Sequence, residues 1–207
     1  MTPDANDLCV FAIKRGTVEG RIDPHFYLPK FQAIINTIKK NTNVRLGEIA
    51  QFSKDTTDFS EFESGMFEYL EISGVSLGID KYKTTTTLVT EAPSRAKMKT
   101  QIGDIAIALT RPHRGAITLI KDSDIIASTG FSIIRDIDST IDKEWLLFVL
   151  LSNISLQQML QRSSGGNYPA IIEDEVKRVY PSFLALIVHS VSKNTAQNPQ
   201  ERFCAVS

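Results

Sequence analysis

Gly103-Asp-Ile-Ala-Ile-Ala-Leu109 is the stretch on which the reading of this chain turns. A Gly-Asp turn feeds an apolar strand, the clearest β signal in the sequence. Working outward, the runs 46–52, 67–73, 85–89, 102–110, 116–121 and 125–135 are all short, β-compatible, and separated by Gly, Asp, Ser or Pro. Between the first two, 53–65 is polar and acidic and reads as an exposed loop.

Helical signals flank this β region. Asp23-Pro24 supplies a capping carboxylate and a proline at the first helical position. Phe31, Ile34, Ile35 and Ile38 follow at helical spacing, which predicts an amphipathic helix over 24–40 that ends at Asn41-Thr-Asn43. Asp142 caps a second helix over 143–152, apolar on nearly every side and therefore a core helix. Helical character continues over 156–161, another turn is expected at 173–176, and 177–180 reads as a returning strand. Residues 1–20 are weakly patterned, and 182–207 is an apolar run, 183–188, followed by a polar, aperiodic stretch, which reads either as a strand lost to the rest of the fold or as a largely disordered or truncated tail.

Composition narrows the function classes. The 207 residues have ordinary apolar content for a globular protein, and 23 basic against 24 acidic residues leave a formal charge of −1. Any case for nucleic acid must therefore rest on local clustering. Cys9 and Cys204 lie at opposite ends, which disfavours a disulfide framework and fits a reducing compartment. His25, His113 and His189 are too scattered for a metal site. The acidic amino terminus is no signal peptide and the longest apolar run, 145–151, is too short to span a bilayer, so a cytoplasmic location is expected and membrane association is not.

Two loops concentrate the chemistry: Thr110-Arg-Pro-His-Arg-Gly115 and Arg162-Ser-Ser-Gly-Gly-Asn-Tyr-Pro-Ala-Ile171. They mix cations, hydroxyls and glycines, which suits gripping phosphates and base edges with side chains and bare N–H groups. Neither holds a carboxylate or thiol. Candidate DNA contacts are Arg111, His113 and Arg114 in the first loop, and Arg162, Ser163, Ser164, Gly165, Gly166, Asn167 and Tyr168 in the second. Gly165-Gly166 also reads as a left-handed helix cap. Arg95, Lys97 and Lys99 alternate, so an extended chain projects all three from one face. Each cluster alone is ordinarily a solvated surface.

Catalytic signals are poor. Glu175-Val-Lys177 matches half of a metal-nuclease pattern, but the one Pro-Asp in the chain is Pro3-Asp4, far from where that pattern needs it. Asn167-Tyr-Pro-Ala170 is not an amino-methyltransferase motif, and there is no Walker loop.

The ordered set Arg21-Ile-Asp-Pro-His-Phe-Tyr-Leu-Pro, Tyr69-Leu-Glu-Ile-Ser, Ala92-Pro-Ser-Arg-Ala-Lys-Met, Gly103-Asp-Ile, Leu109-Thr-Arg-Pro, Ser128-Thr-Gly-Phe and Gln157-Gln-Met-Leu-Gln-Arg-Ser-Ser-Gly-Gly-Asn-Tyr-Pro-Ala-Ile resembles a target recognition domain. Such domains belong to the specificity subunits of type I restriction-modification systems, and the resemblance covers 21–181. It implies an α+β globule with a mixed, largely antiparallel sheet, an N-terminal helix and a buried helix near 142–152. It also implies a non-catalytic half-site reader of double-stranded DNA that directs a modification (methyltransferase) subunit and, where one exists, a restriction subunit. S-adenosylmethionine, ATP and magnesium would belong to those partners, with no cofactor in this chain, and a homodimer of half-subunits is a further expectation.

The family continues past the Pro-Ala-Ile loop into a long helix that sets half-site spacing. This chain runs instead from Tyr180-Pro181 into Phe183-Leu-Ala-Leu-Ile-Val-His189. Two alternatives therefore stand beside the specificity module: a truncated, non-functional fragment, and a small metal-dependent nuclease built around Glu175 and Lys177.

Overall fold

The computed structural model describes residues 10–40, 42–59 and 65–181. Five helices of the α type lie among them: α1 (Pro29–Lys39), α2 (Leu46–Ile49), α3 (Lys143–Leu151), α4 (Asn153–Arg162) and α5 (Glu173–Val176). The strands are β1 (Ala50–Phe52), β2 (Met66–Leu70), β3 (Thr85–Leu88), β4 (Ala96–Lys99), β5 (Ile105–Ala108), β6 (Ile117–Leu119), β7 (Ile125–Ser128) and β8 (Phe131–Ile137). They form two four-stranded sheets ordered β1-β8-β5-β6 and β3-β2-β7-β4. Every pairing is antiparallel except β2 with β7.

Strand β5 shows why the layers stack as they do. Ile105 and Ile107 join Leu46, Ile117, Ile134, Trp145, Leu146 and Met159 in a core shared with the helices. Ala106 and Ala108 join Leu70, Ile125, Ala127, Phe131 and Ile133 in a second core shared with the other sheet. Successive side chains on a strand face opposite ways, so an unbroken apolar run serves two cores when both faces are covered. The first sheet is thus the middle layer, with helices on one side and the second sheet on the other. The α+β class, the mixed and mostly antiparallel sheets and the buried helix near 142–152 are all present. Asp142 caps α3 as expected, accepting from the Trp145 N–H at 2.9 Å, a bond worth about 1 kcal/mol.

Several local expectations are corrected. The 24–40 helix is two pieces, a tight turn Pro24–Tyr27 capped by Asp23 and then α1, which restarts at Pro29. Proline lacks an N–H and tolerates the first helical turn, so Pro29 begins a new helix rather than continuing one. In the 46–52 run, the first four residues are helical. The Glu48 carboxylate reaches back to the Arg45 N–H, and Leu46 and Gly47 donate to the carbonyls of Val179 and Lys177. Those carbonyls lie in 177–180, which is a turn and coil, not a strand. The 125–135 run is two strands in different sheets, separated at Thr129-Gly130. Ser152 stops α3 and caps α4 through the Ser155 N–H. The 53–65 loop is exposed only in part, because Ser53 and Thr57 are buried and Thr56 bridges Met98. Cys9, Cys204, His189 and the 182–207 segment lie outside the described residues.

Candidate nucleic-acid interface

The two chemistry-bearing loops, 110–115 and 162–171, are laid edge to edge where β5 exits its sheet. Leu109 donates its N–H to Gly130 and accepts from the Ile171 N–H, both at 2.8 Å. Thr110 bridges Ala170, and the Arg111 N–H donates to the Pro169 carbonyl at 2.7 Å. Ser164 and Ala170 exchange two N–H···O bonds of 2.8 Å, which closes a small hairpin around Gly165–Pro169. Gly165 has φ +98°, and a Cβ there would sit 3.2 Å from the Tyr168 carbonyl oxygen. Its neighbour Gly166 has nothing within 4 Å of where a Cβ would go.

Arg111 fixes the junction. Its backbone is left-handed, at φ 50° and ψ 48°, which costs a non-glycine residue about 1–2 kcal/mol. Its guanidinium lies 3.8 Å from the centre of the Tyr168 ring, and Nη2 donates to the Asn167 carbonyl at 3.5 Å. An exposed cation–π contact of this kind offsets about 0.5–1 kcal/mol of that strain. Tyr168 itself is 68% exposed, so one face of the ring holds the arginine while the residue still meets solvent. The chain then makes a tight turn, Pro112–Arg114, and leaves it at Gly115, φ +73°. Pro112 is buried, Arg114 exposed, and His113 half-buried with its Nδ1 lacking a partner. Burial first, then the charges of Arg114 and Arg111, hold the His113 pKa below its ordinary value, so the ring is neutral near pH 7.

Of the second loop, Ser164, Gly165, Gly166, Asn167 and Tyr168 are exposed, but Arg162 and Ser163 are turned inward. Arg162 is 3% exposed. Its guanidinium pairs with Glu175 at 2.8 Å and Glu19 at 3.4 Å and sits 5.4 Å from the Phe26 ring centre. The Ser163 hydroxyl donates to the Met159 carbonyl at 2.7 Å. Both are framework residues, and the expectation that they contact DNA is corrected on that ground. The helix ends with Ser163 extended, at φ −73° and ψ 155°, so Gly165-Gly166 is a hairpin turn and not a left-handed cap.

Lys97 and Lys99 are exposed on β4 and Arg95 is exposed in the turn just before it, with buried Ala96 and half-buried Met98 between them and a bulge between Ala96 and Met98. Arg95 lies nearest the loops, because its carbonyl accepts from Thr129, one residue before the Gly130 that pairs with Leu109. Lys99 lies at the far end, beside Arg135 and the buried Asp104. The cationic row therefore leads away from the joined loops. Among the described residues no carboxylate lies within ion-pair range of Arg95, Lys97, Lys99, Arg111 or Arg114. Lys54, Lys121, Arg135, Arg162, Lys177 and Arg178 are matched with acids, while Lys30, Lys39, Lys81, Lys83 and Lys143 also have no ion-pair partner among the described residues. A chain of net charge −1 thus keeps uncompensated cations in this region.

Glu175 and Lys177 are both engaged in ion pairs. Glu175 holds Arg162 and Arg178, and Lys177 holds Glu173 and Asp174. No group of three or more His, Cys, Asp or Glu suited to a metal occurs among the described residues. No described helix is long and apolar enough to cross a membrane. Sequence reasoning missed the hairpin between Val75 and Tyr82, whose Gly78 N–H donates to the Gly115 carbonyl at 2.9 Å. Gly74 and Gly78 were its one turn signal.

No family model matches the sequence, and no curated protein is significantly similar to it. Solved structures do match. One is a chain from work on complex assembly and conformational transition of the type I R-M system, at 28% identity and a TM-score of 0.58. Another is the HsdS subunit from Thermoanaerobacter tengcongensis, at 26% identity and a TM-score of 0.56. Each match covers 74% of this chain and 42% of the other, so the chain spans less than half the length of either. In its α+β fold, over 74% of its length, this chain is similar to the specificity subunits of type I restriction-modification systems.

Proposed function

We propose that this chain is a non-catalytic, half-site DNA-reading module of a type I restriction-modification system. The observation that carries the reading is the Arg111–Tyr168 stack, which joins the two loops into one rigid, exposed and cationic surface. Arg111, Arg114 and Arg95 suit phosphate contact. Asn167 carries an amide of the kind that pairs with adenine edges, and Gly166 leaves room for the sugar-phosphate backbone. The likeness to specificity subunits supports a role in sequence specificity, with base modification and any cleavage done by partners. S-adenosylmethionine, ATP and magnesium would be bound by those partners, and the assembly would work in the cytoplasm.

The test is co-purification with the cognate modification subunit, followed by methylome sequencing of cells expressing the pair. A methylated bipartite motif that relaxes at one base pair with Asn167→Ala supports the reading. A modification subunit that binds the chain but methylates no motif favours the fragment reading instead, and so does failure to bind.

A further inference from the structure

The hairpin between Val75 and Tyr82 is anchored far more firmly than its solvent-facing tip requires. On one side, the Asp80 carboxylate accepts from the Thr118 hydroxyl at 2.8 Å, the Leu119 N–H at 2.9 Å and the Lys121 ammonium. On the other, the Tyr82 hydroxyl donates to Asp122 at 2.6 Å and accepts from the N–H groups of Lys121 and Asp122. At the tip, Gly78, φ +72°, donates to Gly115 at 2.9 Å, locking the hairpin against the Arg111–Gly115 turn.

This clamped tip carries two aliphatic side chains into solvent. Leu77 is 52% exposed and Ile79 51%, one on each side of Gly78. About half of each side chain stays in contact with water, and the anchored hairpin holds them there instead of letting them fold away. Lys81 and Lys83 on the same hairpin are exposed and have no carboxylate within ion-pair range among the described residues. Aliphatic groups flanked by uncompensated cations and continuous with Arg111 and Arg114 match a duplex groove: phosphates at the rim, base edges at the floor.

We infer that the tip of this hairpin is a second reading element of the same surface, with Leu77 and Ile79 seated against thymine methyl groups in the major groove. The inference rests on the DNA-reading function proposed above. Side chains without donors or acceptors find one apolar feature on the base edges of that groove, the thymine C5-methyl. The hairpin's anchors then have a purpose, since a reader of a single methyl must be held in place by its own framework.

The test uses the full chain. Duplexes are selected from a randomised library at low salt, and the best binder is remade with deoxyuridine in place of thymidine, which removes only the methyl groups. Wild type should lose about fourfold in affinity per contacted thymine, the worth of one buried methyl. The Leu77→Ser/Ile79→Ser variant should still fold with a modestly lowered melting temperature, bind more weakly, and no longer distinguish the two duplexes. Equal wild-type affinity for thymine and uracil duplexes overturns the inference and leaves DNA reading intact, whatever the variant does. Discrimination that survives in a folded double variant also overturns it. Selection that yields no binding duplex overturns both this inference and the DNA-reading function.

Discussion

Arg111 and Tyr168, 57 positions apart in the chain, face each other at 3.8 Å, and the backbone beneath them is hydrogen-bonded from Leu109–Ile171 through Arg111–Pro169. The arginine is held in a left-handed conformation to make that contact. Strain kept at a half-buried cation is offset only in part by its ring contact, and such positions cluster where recognition fixes them.

Arg111→Gly separates the backbone from the side chain. Glycine adopts the left-handed region freely, so stability should hold or rise by up to about 1 kcal/mol once the lost cation–π contact is set against relieved strain, with the melting temperature following. DNA affinity should fall nonetheless. Thermal melting and DNA titration on the same preparation check this; a marked loss of stability would make the guanidinium a structural brace.

Gly165→Ala and Gly166→Ala should behave differently. Gly165 has φ +98° and a carbonyl 3.2 Å from a would-be Cβ, so its replacement should cost about 1–2 kcal/mol of stability. Gly166→Ala meets open space and should leave the melting temperature unchanged while weakening DNA binding. Equal effects of the two substitutions on stability would contradict the geometry.

Arg162→Ala should destabilise the protein by about 2–4 kcal/mol, because Glu175 and Glu19 lose the cation between them, with part of the penalty relieved by their access to water. Arg162→Lys should not restore stability, since an ammonium cannot bridge both acids and lie by Phe26 as a planar guanidinium does. Urea denaturation of the three proteins decides it; a neutral Arg162→Ala would return the residue to the surface.

Acid should loosen the Asp80 anchor. Burial opposes its ionisation, but hydrogen bonds from Lys121, Leu119 and Thr118 prevail and hold its carboxyl below the ordinary carboxylate value. A depressed folded-state pKa stabilises fully above about pH 4 and loses that contribution as pH falls through the depressed value. Melting curves from neutral to strongly acidic pH should therefore drop further for wild type than for Asp80→Asn, which starts lower by about 1–2 kcal/mol. Parallel curves would show that the carboxylate contributes nothing.

What the sequence discloses is unequal along the chain, for physical reasons. β5 and the Asp142-capped α3 are legible because local signals and tertiary burial agree in them. The short helix α2 is not, because its Leu46 and Gly47 N–H groups are satisfied by the distant carbonyls of Val179 and Lys177. Arg162 was misread as a surface cation although Ser155, Gln158, Met159 and Arg162 share one helical face, all buried. That spacing is the signal for burial, although Arg162 opens the Ser163-Ser164-Gly165-Gly166 loop, whose composition suits a surface. The approach of the two loops was not legible at all, since nothing in either loop encodes the register of Thr110 with Ala170.

The most direct measurement is a fluorescence anisotropy titration of duplex DNA from low to physiological salt, comparing wild type with Arg111→Ala/Arg114→Ala. Wild type should bind weakly with a shallow salt slope, and the folded double variant should lose affinity together with roughly 2 units of that slope, about 0.9 for each phosphate contact removed. Wild-type binding that ignores salt, or a folded double variant that binds with unchanged affinity and slope, would contradict a phosphate-gripping surface built on these two loops.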